Sequence, residues 1–184
     1  MNPESQTSLI SLCTWSHREV WKVSSKQILE NIQADYYKVY VPLEDLKKFK
    51  KITDSRIDVI PENQLDLAFM SELRPAVQSA KNPRRYGWYF QQFVKLQALI
   101  EDPSENLIIW DSDCVPVRPV RLFGNRGEPM MYSAPEYHKD YFLPIKLLLD
   151  LERAITESFI VPGFPTKKES VISLVSEIEN RHSL

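Results

Sequence analysis

Residues 106–113 read NLIIWDSD, the most apolar run of the chain, ending in two aspartates. The apolar residues after Asn106 follow the helix-breaking sequence DPSE, and together these features predict a buried β-strand over 106–110. Further runs with the length and composition of buried strands lie at 9–13, 36–41 and 56–60. Because these runs alternate with helical patterns, the sequence predicts an α/β fold with a mostly parallel central sheet and helices on both of its faces.

The remaining elements are predicted from periodicity and from turn residues. Apolar positions recur at helical spacing over 19–32, 43–49, 88–100, 140–151 and 167–180. Two later strands are expected at 129–134 and 158–161, and the turn formers and basic groups of 81–87 predict a loop. A chain of 184 residues buries enough surface for one core, so residues 1–184 are assigned to a single domain.

The composition gives no sign of a nucleic-acid surface or of a membrane segment. Lysine and arginine number 23 against 25 acidic residues, and Arg84 with Arg85 is too small a basic cluster to bind nucleic acid. No apolar run approaches about 18 residues, so no integral membrane segment is expected. Cys13 and Cys114 lack the spacing of a metal site, which favours two reduced cysteines in a cytoplasmic protein.

Asp111 and Asp113 directly follow the strand at 106–110, so both carboxylates leave the same edge of the predicted sheet. Two such charges about 5 Å apart repel by roughly 3 kcal/mol at an effective dielectric constant near 20, and a divalent cation reverses that repulsion. Hard oxygen ligands suit Mg²⁺ or Mn²⁺. A cation held there has positions left for diphosphate oxygens and stabilises a departing nucleoside diphosphate.

Two other interpretations of the acidic pair stay open. Aspartate often begins a turn after a strand, and Asp111 and Asp113 precede Pro116. The pair also resembles the opening motif of haloacid-dehalogenase-type phosphatases, in which Asp111 would be the nucleophile and Asp113 the acid/base. That scheme needs a later acidic pair, and neither DD nor DxxxD occurs after Asp113.

A second group of candidate ligands precedes the strand. Trp88, Gln91, Gln92 and Lys95 lie on the predicted helix 88–100, with the two amides and the lysine on one side. An aromatic ring can stack on a base or sugar, amides can bind hydroxyls, and lysine can face a phosphate. Taken alone, this stretch is about equally compatible with ligand binding and with a purely structural role for these residues. Ligands of α/β sheets bind at the carboxyl ends of strands, which adds Thr14 and Trp15 after the first strand.

Three segments carry a family resemblance: YGWYFQQFVKLQAL (86–99), NLIIWDSDCVPVRPVRLF (106–123) and MYSAPEYH (131–138). The chain resembles uncharacterised bacterial and viral proteins that have a GWY-QQ-x-x-K-L helix before a D-x-D strand and are related to GT-A glycosyltransferases. The D-x-D motif alone is weak, and its combination with the preceding helix is more specific. The resemblance is clear over residues 86–138 and looser in the flanking segments.

This resemblance implies a Rossmann-like GT-A fold and transfer of a sugar from a nucleoside-diphosphate donor, a UDP- or GDP-sugar, to an unknown acceptor. It implies Mn²⁺ or Mg²⁺ at the acidic pair, with Asp113 as the direct ligand and Asp111 at the ribose or metal. Trp88, Gln91, Gln92 and Lys95 would line the donor side. Glu136, Tyr137 and His138 would stand near the acceptor or the metal, with His138 either catalytic or structural.

One departure from that family concerns length. Complete GT-A domains are commonly longer, and their carboxyl-terminal part often supplies a metal ligand, a lid and acceptor contacts. A minimal fold, a fragment and the loss of the catalytic half therefore remain alternatives for this chain. A non-catalytic module that binds nucleotide sugars is the corresponding alternative function.

Overall fold

A computed structural model describes residues 6–78, 85–136 and 138–183. Five strands form one sheet: β1 (Thr7–Leu12), β2 (Tyr36–Val41), β3 (Ile57–Pro61), β4 (Asn106–Trp110) and β5 (Gly163–Lys167). Their order is β3-β2-β1-β4-β5, and β5 alone runs antiparallel to its neighbour within this sheet. The prediction of an α/β fold with a mostly parallel sheet is confirmed.

Within the described ranges, six helices accompany the sheet: α1 (Arg18–Asn31), α2 (Leu46–Ile52), α3 (Met70–Gln78), α4 (Tyr86–Glu101), α5 (Phe142–Leu149) and α6 (Lys168–His182). Short 3₁₀ turns precede α1, α2 and α5. Residues 81–84 of the predicted loop at 81–87 lie outside the described residues. Its last two residues belong to α4, which begins two residues earlier than expected.

Two hydrophobic clusters, one on each face of the sheet, hold the layers together. Residues of α1 and α2, including Trp21 and Phe49, pack on one face, and residues of α4 and α6, including Val94 and Val171, pack on the other. In β4, Ile108 and Trp110 contribute to the first cluster, whereas Leu107 and Ile109 contribute to the second. Because side chains alternate along a strand, Asp111 continues the row that faces α4.

The two late strands were predicted wrongly. Residues 129–134 and 158–161 form only isolated bridges, and the fifth strand, β5, begins at Gly163. Pro165 lies inside β5, which pairs with β4 alone among the strands that the structure describes and is therefore an edge strand that tolerates proline. A Cβ atom at Gly163 would lie 2.6 Å from the Trp110 ring, so glycine allows the close approach of β5 to β4.

A buried ion pair lies near the amino-terminal end of β4. Lys38 Nζ lies 2.7 Å from Asp102 Oδ2, with the Asp102 side chain fully buried and the Lys38 side chain 15% exposed. The Ser104 amide donates to Asp102 Oδ1 over 2.9 Å. Burial by itself raises the pKa of Asp102, but the Lys38 ammonium and the Ser104 amide outweigh it and hold the pKa below its usual value.

Among the helices of the described ranges, none combines the length and apolar character that crossing a bilayer requires.

Candidate functional site

The fold places a crevice beside the strands that carry the predicted ligands. The chain runs outward from β1 through β2 to β3 and then returns to β4 on the other side of β1. Such a reversal of strand order leaves an opening at the carboxyl ends of the two central strands, here β1 and β4. Leu12 ends β1 and Trp110 ends β4, so Asp111 and Asp113 follow at this edge of the sheet.

A tight turn fixes the backbone that follows β4. The Asp111 amide donates to Pro162 O, and the Cys114 amide donates to Asp111 O over 3.0 Å. The Trp110 indole donates to Cys114 O, and the Ser24 hydroxyl donates to Ser112 O over 2.6 Å. The turn interpretation of this segment therefore holds for the backbone. The turn nevertheless places both aspartate side chains on the wall of a cleft.

This cleft has a volume of about 940 Å³ and extends from the ends of β1 and β4 across α4 to α5. Asp111 and Asp113 line it together with the four residues predicted on α4: Trp88, Gln91, Gln92 and Lys95. Two constellations that are separate in sequence thus share one wall. The reason is geometric, because α4 packs on the face of the sheet toward which Asp111 points.

Lys95 and Asp111 form an ion pair across this wall. Lys95 Nζ lies 2.7 Å from Asp111 Oδ1, and the two side chains are 16% and 40% exposed. Asp113 is exposed and has a weak contact with the Cys114 thiol at 3.8 Å. The ammonium of Lys95 therefore offsets part of the repulsion between the two carboxylates, and Asp113 presents the more accessible oxygens.

Aromatic and basic groups form the outer part of the cleft. The Trp88 and Tyr141 rings are nearly parallel, 7° apart, with their centroids separated by 6.3 Å. The Arg85 guanidinium lies over the Trp88 ring at 4.7 Å. All three residues line the cleft, and they provide a flat apolar surface with a positive charge beside it.

Thr14 and Trp15 lie at the end of β1 but not on the cleft wall that the described residues form. The Trp15 ring packs edge-on against Phe49, 5.4 Å between centroids, within the cluster around α1 and α2. The Thr14 hydroxyl bonds to Ser16. His17, two residues further, does line the cleft.

His138 lies next to the cleft rather than on its wall. Its Nε2 is 2.6 Å from Glu136 Oε1, and both side chains are exposed. The His138 ring is 5.4 Å from that of Tyr141, a residue of the cleft wall. Tyr137 lies outside the described residues.

The carboxylates of Asp111 and Asp113 are the oxygens on this wall that could bind a metal ion. No group of three or more histidine, cysteine or acidic residues with metal-site geometry occurs within the described part of the chain. A preformed protein cage is therefore not available there. The pair does fit Mg²⁺ or Mn²⁺ bound in the usual manner of phosphate-linked ions, through one or two carboxylates with substrate oxygens and water completing the shell.

Both cysteines are free and lie close to the acidic turn. Burial raises the pKa of Cys13 to about 11, an effect that a hydrogen bond with Ser112 opposes and the Asp113 charge reinforces. Burial, followed by the charges of Asp113 and Asp111, raises the pKa of Cys114 to about 11 as well. Without a cation nearby, both thiols are therefore neutral near pH 7 and are poor nucleophiles.

Several residues of the cleft were not singled out from the sequence: His17, Asp140, Tyr141, Phe159 and Ile160. For His17 a signal existed, because it follows the carboxyl end of β1 within five residues. The others come from segments whose position depends on contacts distant in sequence. Periodicity carries no information about such contacts.

A family model described as a family of unknown function (DUF6492) matches residues 18–182, and the chain belongs to this family. The matched range contains β2 to β5, all six helices and the acidic pair. A search of curated proteins gave no significant match.

Proposed function

We propose that the chain binds a nucleoside-diphosphate sugar in this cleft and transfers the sugar to an acceptor, as a metal-dependent glycosyltransferase. The observation behind the proposal is that Asp111 and Asp113 share one cleft wall with Lys95, Gln91 and Gln92. The volume, about 940 Å³, lies in the upper range for small-molecule sites and leaves room for a nucleotide with an attached sugar.

Asp113, with Asp111 beside it, would hold Mn²⁺ or Mg²⁺. The bound ion would neutralise charge on the diphosphate and so favour its departure from the sugar. Asp113 is suited to direct ligation because its carboxylate is exposed, whereas one oxygen of Asp111 is engaged by Lys95. The Lys95–Asp111 pair would thus orient Asp111 before any ligand enters.

Lys95 would bind the diphosphate in addition to orienting Asp111. An ammonium group has three N–H donors, and one of them is directed to Asp111 Oδ1. The Lys95 side chain is 16% exposed and lines the cleft, so its charge acts in a partly desolvated setting. The negative charge of phosphate oxygens placed between Lys95 and a cation at Asp113 would be neutralised by a positive charge on each side.

The outer cleft would hold the sugar and the acceptor. The Gln91 and Gln92 amides offer donors and acceptors for hydroxyl groups, and the Trp88 and Tyr141 rings offer an apolar surface for stacking. His138 would accept a proton from the acceptor hydroxyl. A proton on Nε2, donated to Glu136, would leave Nδ1 free for that role.

The proposal is tested by nucleotide binding. UDP or GDP with Mn²⁺, at about 100 times its dissociation constant, is expected to raise the melting temperature by about 5–10 °C. Nucleotides without metal should give a much smaller shift. If no nucleoside diphosphate raises the melting temperature in the presence of Mn²⁺ or of Mg²⁺, the proposal is contradicted.

Two further measurements separate the alternative functions. Release of sugar from a bound nucleotide sugar indicates a transferase, whereas binding without release indicates a non-catalytic module. Covalent trapping of Asp111 by beryllofluoride would instead support the phosphatase interpretation.

Lys95→Ala is expected to weaken UDP binding by about 10- to 100-fold and to leave uridine binding nearly unchanged. The reason is that a hydrogen bond to a charged group contributes about 1.5–3 kcal/mol, and only the diphosphate makes it. Isothermal titration calorimetry of both ligands measures the difference. Lys47→Ala, which removes an exposed lysine of α2, is the matched control. An equal loss for uridine and UDP would exclude the phosphate role.

A further inference from the structure

Arg85 is a cation of the cleft wall that belongs to no ion pair among the residues that the structure describes. It is exposed and precedes helix α4 as its N-cap residue. Asp140 lines the same cleft, but its carboxylate is not paired with Arg85. Lys95 differs, because its ammonium already contacts Asp111 Oδ1 at 2.7 Å. Of the two cations, Arg85 is therefore the one whose hydrogen-bond donors remain available to an anionic ligand.

The Trp88 ring holds the Arg85 side chain in a defined position. The guanidinium carbon lies 4.7 Å from the centroid of the ring, within the range of a cation–π contact. Stacking covers one flat face of the guanidinium group, whereas its N–H donors lie in the plane of the group. Such a fork binds a carboxylate or a phosphate through two parallel hydrogen bonds. Because the group is already held in place, it loses less freedom when an anion binds.

The position of Arg85 separates its ligand from the diphosphate proposed at the acidic pair. Trp88, on which the guanidinium lies, precedes Lys95 by seven residues of α4, which is about 10 Å along the helix axis. Gln91 and Gln92 lie between them, and all of these side chains line the cleft. The wall that α4 forms therefore presents, in order, a cation on a ring, two amides and a second cation beside the acidic pair.

The aromatic group at this end of the wall adjoins the residue proposed to activate the acceptor. The Tyr141 ring lies 6.3 Å from the Trp88 ring and 5.4 Å from the His138 ring, between centroids. A flat or ring-shaped molecule that stacks on this group would have the imidazole on one side and the Arg85 guanidinium on the other.

We propose that Arg85 binds an anionic group, a carboxylate or a phosphate, of the acceptor, and that the acceptor is an acidic, hydroxyl-bearing ring such as a uronic acid or a sugar phosphate. The positive charge of Arg85 is complementary to that group, and the Trp88 and Tyr141 rings would carry the body of the molecule. The assignment of this ligand to the acceptor rests on the proposed sugar transfer. The anion site itself rests on Arg85 and the two rings alone.

Ligand-observed NMR titrations of the full chain, without nucleotide or metal, test the inference. The probes are glucose, glucuronate and glucose 6-phosphate, which share a ring and differ in the charged group. At least one of the anionic sugars is expected to bind about fivefold or more tightly than glucose, and their comparison identifies the preferred anion. Arg85→Gln is expected to abolish this preference, so that the three sugars bind alike. Arg85→Lys retains the charge without the fork and should retain only part of the preference.

Arg118→Gln is the matched control, because Arg118 is exposed and lies outside the cleft wall that the described residues form. It should show the wild-type preference, and circular dichroism verifies that each variant is folded. The inference is overturned if neither anionic sugar binds more tightly than glucose or if Arg85→Gln keeps the preference. Equal loss of the preference in Arg118→Gln would assign it to overall charge and would also overturn the inference.

The outcome is separable from that of the nucleotide-binding test. A preference for anionic sugars that depends on Arg85, in a protein that binds no nucleoside diphosphate, would refute the proposed sugar transfer and leave the anion site standing. Metal-dependent UDP binding without any such preference would do the reverse.

Discussion

Replacement of Asp113 by alanine (Asp113→Ala) is expected to abolish metal-dependent nucleotide binding and to leave the protein folded. The affinity for UDP in Mn²⁺ should fall by more than about 100-fold, because a directly coordinating carboxylate contributes more than the outer-shell groups whose loss costs 10–100-fold. The fold should persist, since Asp113 is exposed and its loss removes one of two like charges. Calorimetric titration with UDP, in Mn²⁺ and in chelator, measures the change.

The comparison between the two titrations makes this test specific. In chelator, wild type and variant should bind UDP with the same low affinity, because only the metal-dependent part of binding involves Asp113. Asp58→Ala removes an exposed aspartate of β3, at the other end of the sheet, and should behave as wild type. Equal UDP affinity of wild type and Asp113→Ala in Mn²⁺ would refute the metal role of Asp113.

Local sequence signals were sufficient for the elements that build the cleft. Strands β1 to β4 are short apolar runs with turn residues on either side, and each was predicted to within two residues at either end. Helix α4 carries a broad apolar face that packs in the cluster behind β4. Because parallel strands place their carboxyl ends at one edge, the position of the acidic pair beside the crevice followed from these elements.

Other features depend on contacts between distant parts of the chain and were not predictable. Strand β5 contains Pro165, and it forms because β4 offers a free edge and because Gly163 allows the close approach to Trp110. Helix α3 contains Pro75 in its interior, a position at which proline argues against a helix. Trp15 was predicted as a ligand contact, but the structure places its ring against Phe49.

The contact between Lys95 and Asp111 was predictable only in part. The sequence assigned Lys95 to a phosphate and Asp111 to a metal or ribose, and the structure pairs them directly at 2.7 Å. The alternation along β4 supplied part of the information, because it places residues 107, 109 and 111 on one face of the sheet. That α4 covers this face is known only from the structure. Residues 107 and 109 face α4, so residue 111 does as well, and a lysine on that helix is its natural partner.

Asp102→Ala is expected to lower the free energy of unfolding by about 3–5 kcal/mol at neutral pH, a loss typical of breaking one side of a buried ion pair. The variant leaves the Lys38 ammonium, 15% exposed, without its carboxylate partner and removes the acceptor of the Ser104 amide. Urea denaturation measures the loss. Replacing both partners by apolar residues, Lys38→Met with Asp102→Leu, should restore most of it, because no uncompensated charge remains.

The pH dependence identifies the carboxylate as the cause. Although burial opposes ionisation, the Lys38 ammonium holds the pKa of Asp102 below 3.8 in the folded protein, whereas the unfolded chain titrates near the ordinary value. The unfolded state therefore binds the proton first, and the contribution of Asp102 is complete above about pH 5 and is lost as the pH falls through the folded pKa. The difference in stability between wild type and Asp102→Ala should stay constant from neutral pH to about pH 5 and shrink below about pH 4.

Asp54→Ala, which breaks an exposed pair with Arg56, is the control and should lower the free energy of unfolding much less throughout this range. A difference between wild type and Asp102→Ala that persists unchanged into strong acid would mean that lost packing, and not the charge, accounts for the effect.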